Sequence, residues 1–376
     1  MVCGPGALRE LATIARRTGM TAPLIVTDPG IRSFGILDRT VDALRKMGER
    51  AQVFDGVSTR CTESDVRSGL DVYHASAADG IVAVGGGSAV DAAKAIRLLT
   101  THDGPVASYD IMARGTGKIS DALPPLIAIP TTAGTGSEVS SAAMITTIDD
   151  SGSKKTLVHS PKLVPDWSLL DPELTVSQPS GVTAGSGMDT LSHFIEEFVS
   201  PRYHPAVSAL AHRGMHRIAR DLPTVWNKPE HLEARGEMLM SAMLGGTGFE
   251  KGLGAVHAMA HGIGALHDVH HGRLCATLLP HAMEFNAEHL APGCAVELAQ
   301  TIGRQDTTAA EALAAFVDWL MGLNVSLQIE PRLRDLGVGA EMRDRAIALA
   351  LGDHCLRTNP RPCEQADLLE LWERAW

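Results

Sequence analysis

Asp189 and His193 stand four residues apart in GMDTLSHFIEE, and His257 and His261 stand four apart in VHAMAH. In a helix that spacing puts both members of a pair on one face, one turn from each other. His271 follows after a short loop and precedes Gly272. Imidazole and carboxylate donors together suit a borderline divalent ion such as Fe(II) or Zn(II), with positions left open for substrate. The stretch GAVHAMAHGIGALHDVHHG, Gly254 to Gly272, holds five of the sixteen histidines: His257, His261, His267, His270 and His271. A single histidine among small apolar residues reads as a satisfied core or surface group. Two spaced pairs and a later histidine read as a metal centre. HAMAH has no glutamate after its first histidine, so the general base of a helical zinc hydrolase is missing.

A second kind of chemistry is written in two polar turns. GIVAVGGGSAVDAAKAI is a strand, a glycine turn and a helix in sequence. Gly85, Gly86 and Gly87 let backbone N–H groups approach an anion. Ser88 is placed to cap the helix that follows, whose positive end favours phosphate. The run is neither GxGxxG nor a P-loop, and a plain tight turn is the competing reading. IPTTAGTGSEVS (129–140) ends another buried run with hydroxyls on Thr131, Thr132, Thr135 and Ser137. Two such loops at one sheet edge favour a nucleotide. Asp28, closing PLIVTD, is read either as a partner of a ribose diol, favouring NAD over NADP, or as a cap for a helix starting at Pro29-Gly30.

Around these residues the chain shows two rhythms. PLIVTD (23–28), AQVFD (51–55), GIVAVGG (80–86) and PPLIAIPTT read as buried strands alternating with helical stretches around LDRTVDALRKMG, SDVRSGLDVYHASAA and SAVDAAKAIRLLT. That alternation indicates a parallel sheet covered on both faces. AMITTID and KKTLVHS suggest a hairpin around DDSGS. From QPSGVTAGSGMDTLSHFIEEFVS onward the patterns are helical. The expected organisation is an α/β domain over 1–177 and an all-helical domain over 178–376.

Composition removes several function classes. The net charge is −11 and Lys and Arg are dispersed, which argues against a nucleic-acid or anionic-membrane binder. No apolar run reaches a membrane span, and the N-terminal residues lack a secretory pattern. Six scattered cysteines without a CxxC pair fit reduced thiols, so a cytoplasmic protein is expected.

GGGSAVDAAK, IPTTAGTGSEVS, GMDTLSHFIE, KGLGAVHAMAHGIGALHDVHHG and LLPHAMEFN together resemble the iron-containing (group III) alcohol dehydrogenases, over nearly the whole chain. The resemblance implies a dehydroquinate synthase-like fold: a dinucleotide-binding α/β domain followed by an all-helical metal-binding domain. By position it implies Asp189, His193, His257 and His271 as metal ligands. It places His261 beside the metal, contacting substrate or relaying a proton. It puts Gly85, Gly86, Gly87, Ser88 and Asp91 in the pyrophosphate motif, and Thr131, Thr132 and Thr135 in the nicotinamide-side loop. His267 and His270 receive no ligand role and stand as candidates for lining the cleft or supporting the ligands, with His267 also a candidate substrate contact. The implied cofactors are NAD(H) and Fe(II), with Zn(II) or another divalent metal as the alternative. The implied substrate is a small alcohol or aldehyde, and the implied assembly is a homodimer or larger homo-oligomer.

Three departures qualify this. The chain begins close to GPGAL, where the family has a further strand, which leaves room for a missing edge strand. Cys275 replaces a common asparagine. Glu250-Lys251 precede Gly252, and Lys251 is read either as an anchor for an anionic substrate or as an exposed helix-end cation. The expected reaction is reversible hydride transfer between a small primary alcohol and NAD. The alternative is a dehydrogenase for an anionic substrate such as 4-hydroxybutyrate/succinic semialdehyde, or a phosphonate or sulfonate aldehyde. A lyase of the dehydroquinate synthase type is disfavoured by the Asp-x3-His and VHAMAH signatures, and a metal-dependent hydrolase by the glycine loops. A non-enzymatic nucleotide- or metal-binding protein is disfavoured by the full set of side chains.

Overall fold

GIVAVG and LIAIP are buried at every position, and both become central strands of a parallel sheet, where each face is covered. The computed structural model describes residues 1–45, 48, 51–150, 152–305 and 308–376. It divides into two units: Met1–Thr132 with Gly136–Gln178, and Ala133–Thr135 with Pro179–Trp376.

The first unit runs β1 (Val2–Cys3), α1 (Leu11–Arg17), β2 (Pro23–Val26), α2 (Pro29–Ser33), α3 (Ile36–Arg45), β3 (Gln52–Phe54), α4 (Glu63–Ala75), β4 (Gly80–Gly85), α5 (Gly87–Leu99), β5 (Leu126–Pro130), β6 (Ala142–Asp149), β7 (Gly152–His159) and β8 (Trp167–Leu170). Six strands form one sheet in the order β1-β8-β5-β4-β2-β3, every pair parallel. Alternation along the strands divides the core. Leu24, Val26, Ile81, Ala83, Leu126 and Ala128 join one cluster with residues of α4 and α5. Ile25, Val82, Val84, Ile127 and Ile129 join another with residues of α1 and α3. Each strand therefore feeds two cores, and a one-residue slip would exchange them.

β6 and β7 pair antiparallel from Ala142↔His159 to Asp149↔Gly152, the hairpin expected there. Ser151 of DDSGS, and Lys46 and Met47 of the LDRTVDALRKMG helix, lie outside the described residues. Two short strands are additions to the sequence reading. Val2–Cys3 occupies the edge position beside Leu169–Leu170, where the sequence left room for a missing strand.

The second unit contains α6 (Ser180–Val199), α7 (Pro205–Asn227), α8 (Leu232–Gly248), α9 (Ala255–Leu266), α10 (His271–Phe285), α11 (Cys294–Thr301), α12 (Ala309–Ser326), α13 (Arg343–Leu351) and α14 (Gln365–Ala375). Among its described residues there is no strand. α6 is buried nearly all round, and its buried residues include Asp189, His193, Glu196 and Glu197. It packs against α7, α8 and α10. The approach to α10 is backbone on backbone. A Cβ on Gly272 would lie 2.0 Å from the Gly185 carbonyl oxygen and 3.0 Å from Asp189 Cβ. Glycine at 272 is thus what lets the start of α10 meet the helix carrying Asp189.

Candidate active site

In the first unit, the loops after β2, β4 and β5 leave the same end of adjacent parallel strands. Gly85 has φ +150°, and a Cβ there would meet Ala89 Cβ at 2.7 Å and Asp28 Oδ2 at 3.1 Å. A side chain is excluded on both counts. The Thr131 N–H donates to the Gly85 carbonyl at 3.0 Å, and a Cβ on Gly86 would lie 3.3 Å from Thr132 Oγ1. Gly85, Gly86, Thr131, Thr132 and Asp28 therefore share one small region.

α5 begins at Gly87, its N-cap is Gly86, and no side chain caps it. This corrects the expectation for Ser88. That residue lies inside the first turn, and its hydroxyl donates to the Thr59 carbonyl at 2.9 Å. The first-turn N–H groups of α5 lack a side-chain acceptor, which is the arrangement that receives phosphate oxygens. Asp28 is the N-cap of α2, with Oδ1 accepting from the N–H groups of Gly30 (2.9 Å) and Ile31 (3.2 Å). Its Oδ2 is the oxygen turned toward Gly85. Burial raises its pKa, against the two backbone donors. Asp91 looks inward: it accepts from the Ser137 hydroxyl and, at 2.9 Å, from the Met144 N–H.

In the second unit, Asp189 Oδ1 lies 3.8 Å from His193 Nε2, 3.6 Å from His257 Nε2 and 3.6 Å from His271 Nε2. α6 supplies two of these side chains, α9 one and the first residue of α10 the fourth. The His193 and His257 rings stack at 4.6 Å. Asp189 Oδ1, His193 Nδ1 and His257 Nε2 are buried and have no hydrogen-bond partner among the described residues. Burial alone would raise the Asp189 pKa, but His193, His271 and His257 overrule it and hold the carboxyl well below its usual range. Burial pushes His193 down to about 3 and His271 well below its ordinary value. An ionised carboxylate facing the neutral imidazoles of His193 and His271 suits a cation. His257 is held well above its ordinary value, against burial, by Cys275, Glu196 and Asp189, so its proton must leave as an ion enters. Orphaned polar atoms at such a focus are costly unless something charged joins them, so this donor set fits a divalent metal.

Two supporting carboxylates were not singled out in the sequence. Glu196 accepts from His257 Nδ1 at 2.5 Å and from the Val256 N–H at 2.8 Å. With Nδ1–H on the carboxylate, His257 Nε2 is the atom turned to Asp189. Glu196 is three residues after His193 and seven after Asp189, the spacing of one helix face, so the signal was present. Asp353 Oδ2 lies 2.9 Å from His261 Nδ1. It is distant in sequence and no spacing announces it. His261 stacks on His271 at 5.3 Å.

The remaining candidates fall elsewhere. Lys251 is not the exposed helix-end cation of one reading: it is buried, and its ammonium donates to the Phe198 carbonyl at 2.9 Å. Burial lowers its pKa accordingly. His267 Nε2 lies 3.2 Å from the Leu336 carbonyl. His270 is exposed, its ring against Gly185. Thr135 belongs to a segment, Ala133–Thr135, that groups with the second unit, where the Thr190 hydroxyl lies 3.0 Å from the Ala133 carbonyl and 3.1 Å from that of Gly134.

Comparison with known proteins agrees with these features. Residues 1–172 match the model of "Iron-containing alcohol dehydrogenase", and residues 183–376 that of "Fe-containing alcohol dehydrogenase family, C-terminal". A 4-hydroxybutyrate dehydrogenase of Cupriavidus necator is 36% identical, over 98% of this chain and 96% of the relative. The solved alcohol dehydrogenase from Oenococcus oeni superposes with a TM-score of 0.93 at 31% identity, covering 100% of this chain and 97% of that one. A sulfoacetaldehyde reductase from Bifidobacterium kashiwanohense, solved in complex with NAD+, gives 0.86 at 28% identity, over 100% and 96%.

Proposed function

The chain belongs to the iron-containing alcohol dehydrogenase family, and from that premise we propose reversible hydride transfer between a small primary alcohol and NAD. The observation that carries the site assignment is the convergence of His193, His257 and His271 on Asp189, with Asp189 Oδ1 and His257 Nε2 buried and unpartnered. A divalent ion held there, Fe(II) or Zn(II), supplies a Lewis acid to the reacting oxygen, and NAD supplies the hydride acceptor.

The protein's own groups do the rest. Asp189, His193, His257 and His271 hold the ion, and Glu196 keeps His257 in the tautomer that points Nε2 inward. His261, with Nδ1 on Asp353, keeps Nε2 as the atom that takes up or returns the alcohol proton. Gly85, Gly86 and Gly87 bring the uncapped start of α5 to the NAD pyrophosphate, and Thr131, Thr132 and Thr135 line its nicotinamide side. Asp28 Oδ2 takes the ribose diol while Oδ1 serves α2. Asp91 acts behind the glycine turn by tying α5 to Ser137 and Met144.

A second reading, an anionic aldehyde such as succinic semialdehyde or a sulfonate aldehyde, is favoured by the names of the 36%-identical relative and of the sulfoacetaldehyde reductase. Burial of Lys251 and its bond to the Phe198 carbonyl weigh against that residue as the anchor. Anaerobic NADH oxidation by Fe(II)-loaded protein decides between them. Faster turnover of propanal supports the neutral alcohol; faster turnover of succinic semialdehyde supports the anionic one; turnover of neither with NADH bound overturns both. A cytoplasmic homo-oligomer, dimer or larger, is part of the same proposal, and sedimentation velocity tests the assembly. No described helix is long and apolar enough to cross a membrane.

A further inference from the structure

The buried donor set contains a sulfur that the proposed ligands do not include. Cys275 is one turn after His271 on α10, fully buried, with Sγ 3.5 Å from His271 Nε2. Donor atoms of Asp189, His257, His271 and Cys275 all lie within 4.8 Å of one another.

The spacing has a simple geometric meaning. With metal–sulfur and metal–nitrogen bonds of about 2.3 and about 2.05 Å, a tetrahedral centre has a sulfur–nitrogen edge of about 3.6 Å and an oxygen–nitrogen edge of about 3.4 Å. Here the sulfur–nitrogen separation is 3.5 Å and the Asp189 oxygen is 3.6 Å from each of His257 Nε2 and His271 Nε2. Three of the donor–donor edges thus match those of a tetrahedral centre, and the remaining ones are no longer than 4.8 Å.

We propose that Cys275 is a ligand of the same ion, which makes the centre a carboxylate–imidazole–thiolate site with a bias toward thiophilic Zn(II) or Co(II). The inference rests on the metal reading of the site given above and adds a donor to it; His193 Nε2, 3.8 Å from Asp189 Oδ1, lies outside this group of four. As the ion enters, the Sγ–H bond breaks, a sulfur–metal bond forms, and the proton leaves to solvent; no electron is transferred.

X-ray absorption at the zinc edge of the full chain loaded with Zn(II) tests this without a variant. A sulfur scatterer at about 2.3 Å is expected. Bound zinc with nitrogen and oxygen scatterers alone overturns the proposal and reduces the contact to an S–H group beside His271. Co(II)-loaded protein then identifies the residue. Sulfur-to-cobalt charge-transfer absorption is expected in the wild type and in Cys355→Ser, and lost in Cys275→Ser. A band that survives Cys275→Ser, or disappears in Cys355→Ser, overturns the assignment to Cys275. If Cys275→Ser fails to fold, the wild-type scattering and the Cys355→Ser spectrum still decide it. A chain that takes up neither metal overturns the metal centre itself, a separate result.

Discussion

Each unit buries a cluster of charged and titratable groups, and the two clusters are built to opposite ends. In the first unit, Lys94 Nζ donates to the Ser137 hydroxyl, to the Ser140 carbonyl and hydroxyl, and to the Ala142 carbonyl, with bonds of 2.7 to 3.1 Å. Asp91 and Glu138 balance its charge. The cation is enclosed by acceptors that the chain supplies. In the second unit, Asp189 Oδ1 and His257 Nε2 face one another across 3.6 Å with no hydrogen bond to complete them. A closed cluster orders the fold, here joining α5 to the β6–β7 hairpin. An open one is a place for a ligand. Burial and perturbed pKa values are common to both, so neither property separates a site from a structural network. What differs is convergence: Glu138 Oε1 is the one unpartnered side-chain atom beside Lys94 among the described residues, whereas Asp189 Oδ1 and His257 Nε2 are both unpartnered and face each other.

The sharpest way to break this contrast is to remove Asp189. Asp189→Asn should abolish stoichiometric metal binding and lower kcat/KM by about 10³-fold or more, while thermal unfolding of the metal-free protein changes little. Elemental analysis beside steady-state kinetics reads it. Lys94→Met should do the reverse. Unpaired Asp91 and Glu138 should cost about 3–5 kcal/mol of stability, read as a lower denaturation midpoint, and the folded fraction should still take up its metal.

His261→Ala should retain the ion and lose about 10²-fold in turnover; full activity would remove His261 from the proton path. Glu196→Gln should weaken metal binding about 10- to 100-fold by loosening the His257 tautomer, as measured by chelator competition. The smallest effect is in pH dependence. Burial lowers Lys94 to about 8 from 10.5, so the folded state holds fewer protons than the unfolded chain between those values. The penalty for a buried ammonium is complete below about pH 8 and is relieved as pH rises toward 10.5, so this residue makes stability rise with pH there. Urea midpoints at both ends of that window should show the rise in wild type and its absence in Lys94→Met.

How far the sequence led follows the range over which each signal acts. PLIV, GIVAVG and LIAIP are buried throughout, and an uninterrupted apolar run needs no tertiary knowledge to become a central strand. Asp189 and His193 were legible because helical spacing reports a shared face. Glu196 and Cys275 sit on those faces too, and periodicity alone gave no reason to prefer them. Ser88 was misplaced by two positions, since the cap at Gly86 starts α5 earlier than a serine cap would. The burial of Lys251 was not legible because its partner is a carbonyl, which every residue carries and no sequence distinguishes. Asp353 was invisible until folding brought it to His261.

The contact of Gly272 with the Gly185 carbonyl has a consequence for how this protein can change over time. Main chain rests on main chain there, so the interval between Asp189 and His271 does not depend on which apolar side chains fill the surrounding helices. Leucines and methionines nearby are free to drift without resizing the centre. One added methyl at 272 would act as a shim between the two helices, moving a donor from its neighbours and changing the ionic radius that the centre accepts.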